Sequence, residues 1–151
     1  MPPSAAPFRL DSVLQWREQL RDQCRLRWSE ACRAEESIRR LAEQLCEEIE
    51  RERLERRGAL ETGSVSLDDV RARHQYEQAL RTELERLQDE GDAAARERLR
   101  CADQLREAQR EVAMLERLRD GQADEAARTS QRREQRELDD LTSGWLQRRP
   151  G

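Results

Sequence analysis

Gly58-Ala-Leu-Glu-Thr-Gly-Ser-Val-Ser66 is the one stretch between Pro7 and Pro150 that reads as a break in a helical pattern. Gly58 suits a helix C-terminal cap, and Gly63 suits the apex of a turn, because glycine adopts positive φ without steric cost. Ser66-Leu-Asp-Asp69 follows as a helix start. Its serine caps, its two early acids complement the helix dipole, and the S-x-x-D spacing is a variant of the capping box. Outward from this break, no proline interrupts either side. Proline in a helix interior costs about 3 kcal/mol, and the flanks are rich in Ala, Leu, Glu, Gln and Arg, all good helix formers. The pattern predicts a first helix over 8–57, a turn over 58–66 and a second helix over 67–142. Residues 1–7 and 143–151 are expected to be disordered. Asp11 falls in the first turn of the first helix, where a carboxylate is favoured.

Apolar residues recur at alternating three- and four-residue steps. The first helix presents Leu10, Val13, Arg17, Leu20, Cys24, Arg27, Ala31, Ala34, Ile38, Leu41 and Leu45. The second presents Leu80, Leu84, Leu87, Gly91, Ala94, Arg98, Cys101, Leu105, Ala108, Val112 and Leu115. A seven-residue repeat of this kind produces a left-handed coiled coil. Run antiparallel, the two stripes set Leu10 against Leu115, Val13 against Val112, Cys24 against Cys101, Ile38 against Leu87 and Leu45 against Leu80. The midpoint falls at Thr62-Gly63, inside the break. The expected fold is therefore all-α: an antiparallel coiled-coil hairpin whose second helix extends past the first. Around Arg27, Ala31, Ala34, Gly91, Ala94 and Arg98 the layers bury little, so a soft or bowed middle is expected, with Trp28 lying across the small residues.

Beyond Leu115 the second helix has nothing left to pair with. An arm from about Glu116 to Thr142 would project roughly 40 Å at 1.5 Å per residue. Arg128 to Glu137 contains no apolar residue, and a lone polar helix is marginal in water. Leu138, Leu141 and Trp145 then restore a short apolar stripe, which reads either as a docking element or as a fraying end.

Composition narrows the function. With 41% of its 151 residues charged, 35% hydrophobic and 3% aromatic, the chain has too little apolar volume for a globular core. Its 29 basic residues, all arginine, nearly balance 33 acidic ones, which is not the basic footprint of a nucleic-acid binder. No apolar run reaches the ~20 residues of a membrane span, and no signal-peptide pattern follows Met1, so a soluble cytoplasmic protein is expected. Cys24, Cys32, Cys46 and Cys101 lie in helical segments without a C-x-x-C pair. They read as free thiols, with a Cys24–Cys101 staple as the oxidised alternative. The single His74 leaves too few ligands for a zinc site. No phosphate-binding glycine loop and no nucleophile set are present, so neither an enzyme activity nor a cofactor is expected.

The ends of the chain carry a resemblance. Phe8-Arg-Leu-Asp-Ser-Val-Leu-Gln-Trp-Arg17 resembles the opening signature of the flagellar export-apparatus stalk family (FliJ-type), which is related to the YscO-type stalk proteins of injectisomes. Leu115 to Asp120 (LERLRD) and Gln131 to Asp140 (QRREQRELDD) are similar to the family's later pattern. The resemblance implies a non-enzymatic central stalk of type III protein export. Such a stalk would link the hexameric flagellar export ATPase to the cytoplasmic part of the export gate, and would help handle export chaperones. It implies a monomer, peripheral at the cytoplasmic face of the cell membrane at the flagellar base. Carried onto this sequence, the ATPase-facing residues are Phe8, Leu10, Leu14, Leu115, Leu118, Arg132, Arg133, Arg136, Leu138 and Leu141. The gate-facing residues are Leu41, Leu45, Tyr76, Leu80 and Leu87, most of which also belong to the seam. The residues alone leave open a cytoplasmic coiled-coil scaffold or homodimerisation protein, in which parallel pairing would set Arg17, Arg27 and Arg98 against their own copies.

Overall fold

A computed structural model of the chain describes residues 7–63 and 65–148. It contains two helices, α1 (Asp11–Glu61) and α2 (Leu67–Gln147), and no strand among the described residues. The arrangement is the all-α antiparallel hairpin that the apolar repeat predicts, with α2 outrunning α1.

The turn follows the local chemistry of the break. Gly63 has φ +68°, the left-handed conformation glycine supplies at the end of a helix. Its N–H donates to the Leu60 carbonyl at 3.3 Å. The capping box is complete: the Asp69 N–H donates to Ser66 Oγ at 3.1 Å, and the Ser66 N–H donates back to Asp69 Oδ2 at 3.4 Å. Gly58 is not the cap. α1 runs through it to Glu61, because one glycine costs a helix only about 1 kcal/mol, and Gly63 is the residue that takes positive φ. At the other end α1 begins at Asp11 rather than Phe8, with the Asp11 N–H donating to the Phe8 carbonyl at 3.0 Å. α2 continues past Thr142 to Gln147. The remainder of the expected tail, and residues 1–6, lie outside the described residues.

The chain divides into two compact units. The first combines residues 7–22 with 107–148. Its core is the cluster of Leu14, Val112 and Leu115, flanked by buried Ala108. Arg17 and Glu111 form an ion pair across the two helices. Leu10 and Val13 were expected at this seam, but they are 40% and 39% exposed while Leu14 is 2% exposed.

The second unit is Gln23–Arg106. The α2 stripe is as expected here: Leu80, Leu87 and Cys101 are buried, and Leu84, Gly91, Ala94, Arg98 and Leu105 are half-buried. On α1, Cys24 and Ala31 are buried and Ile38 and Leu45 half-buried, but Arg27, Ala34 and Leu41 are exposed. Half-buried Glu35, Ala42 and Ile49 take their place in the repeat. The stripe therefore turns one residue further round α1 than its larger side chains suggest. The pairing shifts with it. Ile38 Cγ2 lies 3.6 Å from the point a Cβ on Gly91 would occupy, so Ile38 packs over Gly91. Glu35 pairs with Arg98, which removes the expected Arg27–Arg98 opposition. Cys24 and Cys101 are both buried, free thiols.

Close to the turn the seam becomes charged. Glu77 is 5% exposed and receives Arg56 and Arg81, each at 2.5 Å. Arg73 reaches Glu52 at 3.7 Å and Glu55 at 3.9 Å. A buried carboxylate is tolerable only when its charge is answered this fully.

Candidate partner-binding surfaces

The hairpin's candidate functional residues are sought on its exposed faces and grooves. The concavities of Gln23–Arg106 are open grooves edged by charged residues, such as the one lined by Arg53, Arg56, Arg57, Leu60 and Glu61. Among the described residues, no group of three or more His, Cys, Asp and Glu side chains is arranged to hold a metal ion, and no helix is long and apolar enough to cross a membrane. His74 is exposed.

Many exposed charges of Gln23–Arg106 are answered locally. Arg39 and Arg40 hold the Glu36 carboxyl below its ordinary range, Arg86 does the same to Glu83, and Arg100 to Glu97. These are ladder contacts at three- and four-residue spacing. The Tyr76 hydroxyl donates to Glu48 across the helices, and that carboxylate raises the phenol's pKa and keeps it protonated. Burial raises the Cys101 thiol, which leaves it a packing group rather than a nucleophile.

The residues of the first predicted group all lie in the unit formed by 7–22 and 107–148. Leu14 and Leu115 are buried in its core and hold the helices together. Phe8 is half-buried, and Leu10 and Leu118 are exposed. Arg132, Arg133, Arg136, Leu138 and Leu141 stand exposed along the arm, where no residue after Leu115 is buried among those described. The second predicted group lies in Gln23–Arg106. Leu80 and Leu87 are buried in the seam, Leu45 is half-buried, and Leu41 and Tyr76 are exposed. Each group thus separates into residues that build the hairpin and residues that face outward.

Trp16 and Met114 did not figure in the sequence reading, yet both are large, apolar and more than half exposed. The Arg17 guanidinium sits 4.8 Å from the Trp16 ring centroid, a cation–π contact that steadies an exposed aromatic. The available signal was their position off the three-and-four stripe, where a large apolar side chain has no seam to enter.

No curated protein and no solved structure gives a significant match to the chain. The family model for the flagellar FliJ protein, however, matches residues 6–151. A hairpin of two long helices, exposed along its C-terminal arm, thus carries a family pattern over almost its whole length, and the chain belongs to the flagellar FliJ protein family.

Proposed function

We propose that this chain is the central stalk of the flagellar type III export apparatus, joining the hexameric export ATPase to the cytoplasmic part of the export gate. Membership of the flagellar FliJ protein family supports a structural role in flagellar export. The observation that carries the finer reading is the arm. α2 continues helical to Gln147 with no buried residue after Leu115 among those described. A lone helix of that composition gains nothing from packing within its own chain, so its stability is to be supplied by a partner.

An asymmetric rod entering a ring makes six otherwise equal subunits inequivalent, which biases their order of turnover. In this reading the exposed members of the first group, Leu10, Leu118, Arg132, Arg133, Arg136, Leu138 and Leu141, face the ATPase. Leu41 and Tyr76 face the gate, and export chaperones bind the outer surface. The chain works as a monomer at the cytoplasmic face of the membrane. The test is ATP turnover by the cognate export ATPase as the full chain is titrated in. Turnover is expected to rise and saturate, and a flat response across the concentration range refutes the reading.

A further inference from the structure

Glu52 and Arg56 on α1, and Arg73 and Glu77 on α2, hold successive positions of the three-and-four repeat that builds the seam. They follow Ala42, Leu45 and Ile49 on one helix and Leu87, Leu84 and Leu80 on the other, and none of the four is exposed. Arg56 meets Glu77 across the helices at 2.5 Å, and Arg73 meets Glu52 at 3.7 Å. Elsewhere in Gln23–Arg106 a charge in the seam stands between apolar neighbours on its own helix. Glu35 lies between Ala31 and Ile38, and Arg98 between Ala94 and Cys101. Here two charges follow one another on each helix, so this stretch of seam is a four-charge box with no apolar side chain to close it.

Such a box returns little net stability, because each charge gives up water to enter the seam. Its rim is wet, with the side chains of Arg56 and Arg73 31% and 37% exposed. Among the described residues between Ile49 and Ala79, Glu77 is the one that is buried. On the turn side of the box Ala59, Val65 and Val70 are half-buried. The turn is held instead by local bonds: the Ser66–Asp69 capping box, and the Thr62 hydroxyl donating to the Ala59 carbonyl at 3.0 Å. Those bonds do not tie one helix to the other.

We propose that the box is a clasp: the turn end of the hairpin, residues 52–77, parts there as one unit while the seam from Ile49 and Leu80 onward stays closed. Parting also separates the Tyr76 hydroxyl from Glu48. A released helical segment of about ten residues is marginal alone, so its backbone hydrogen bonds open with it. A clasp differs from ordinary fraying in being cooperative. Its amides share one opening, with a step in protection at the box, whereas fraying gives protection that grows residue by residue away from the turn.

Native-state hydrogen exchange on the full chain, read residue by residue by NMR, is the experiment. Amides of 55–61 and 70–77 are expected to share one protection factor, about tenfold or more below that of 38–49 and 80–91. Raising sodium chloride from about 0.05 to about 1 M is expected to lower protection of the turn end about threefold and leave the adjoining seam unchanged. The variant E52L/R56L/R73L/E77L continues the apolar seam through the box. It is expected to raise protection of the turn end about tenfold and to abolish the salt response. R56E sets a like charge against Glu77 and is expected to lower protection in the turn end alone. A turn end as protected as the adjoining seam, a graded rise away from Gly63, or no response to salt overturns the clasp. So does a leucine variant whose turn end exchanges as in wild type, or an R56E loss spread through 38–91.

Discussion

Replacing Leu14 by alanine decides which face of α1 is the seam. Leu14 is 2% exposed and clusters with Val112 and Leu115. In a closed core a Leu→Ala change costs about 2–5 kcal/mol, part lost transfer energy and part cavity. Two helices enclose a side chain incompletely, and Val112 and Leu115 can settle into the space, so a loss of about 2–3 kcal/mol is expected. The neighbouring Val13→Ala is the control. It removes two methyl-sized groups worth about 0.8 kcal/mol each when buried, but Val13 is 39% exposed. About 1 kcal/mol therefore remains, and alanine's better helix propensity offsets roughly half of it. Native-state hydrogen exchange over residues 14–22 and 107–115 is the assay, since opening of one unit need not register in a global melt. At about 1.4 kcal/mol per tenfold, Leu14→Ala should accelerate exchange roughly 30- to 150-fold and Val13→Ala about twofold. Equal acceleration by the two, or a larger effect from Val13→Ala, would refute the assignment.

Glu77→Ala leaves Arg56 without its carboxylate in the polar seam beside the turn. The loss is expected at about 1–3 kcal/mol in chemical denaturation, below the 3–5 kcal/mol of a fully enclosed pair, because Arg56 and Arg81 can turn to water; unchanged stability would show that the buried pair contributes nothing. Alkylation of the native chain by iodoacetamide should follow exposure, with Cys46 first, Cys32 next, and Cys24 and Cys101 only on unfolding. Since burial raises the Cys101 pKa, raising the pH from 7 to 8.5 should still leave Cys101 unlabelled in the native chain, and early labelling of Cys101 by mass spectrometry contradicts its place in the core.

The fold was legible because its signals are local. A serine three residues before an aspartate, a glycine free to take positive φ and a long proline-free flank each act within one helical turn. The phase of α2 was legible too, because its large apolar residues lie almost entirely on one stripe. α1 was not. In most heptads it carries apolar residues at three or more positions where a two-helix seam uses two, and the stripe through Cys24, Ala31, Ile38 and Leu45 is compatible with a companion stripe on either side. Val13 and Leu41 favour one side by size, yet the structure uses the other, where Leu14, Glu35, Ala42 and Ile49 lie.

What settles that choice is polar, and an apolar pattern cannot register it. Glu35 meets Arg98, and Glu77 meets Arg56 and Arg81. The Glu35–Arg98 and Glu77–Arg56 pairs span the two helices and are satisfied in one register only, whereas Arg81 lies on the helix of Glu77 and stays with it in any register. Apolar contacts among alanines, a glycine and a cysteine change little under a slip of one turn. In Gln23–Arg106 the charges therefore fix the register and the apolar residues supply the cohesion. The same division explains the surface. Leu41 lies on the side of α1 that the seam does not use, and it remains exposed. It belongs to the partner-facing group that the family resemblance implied for this unit.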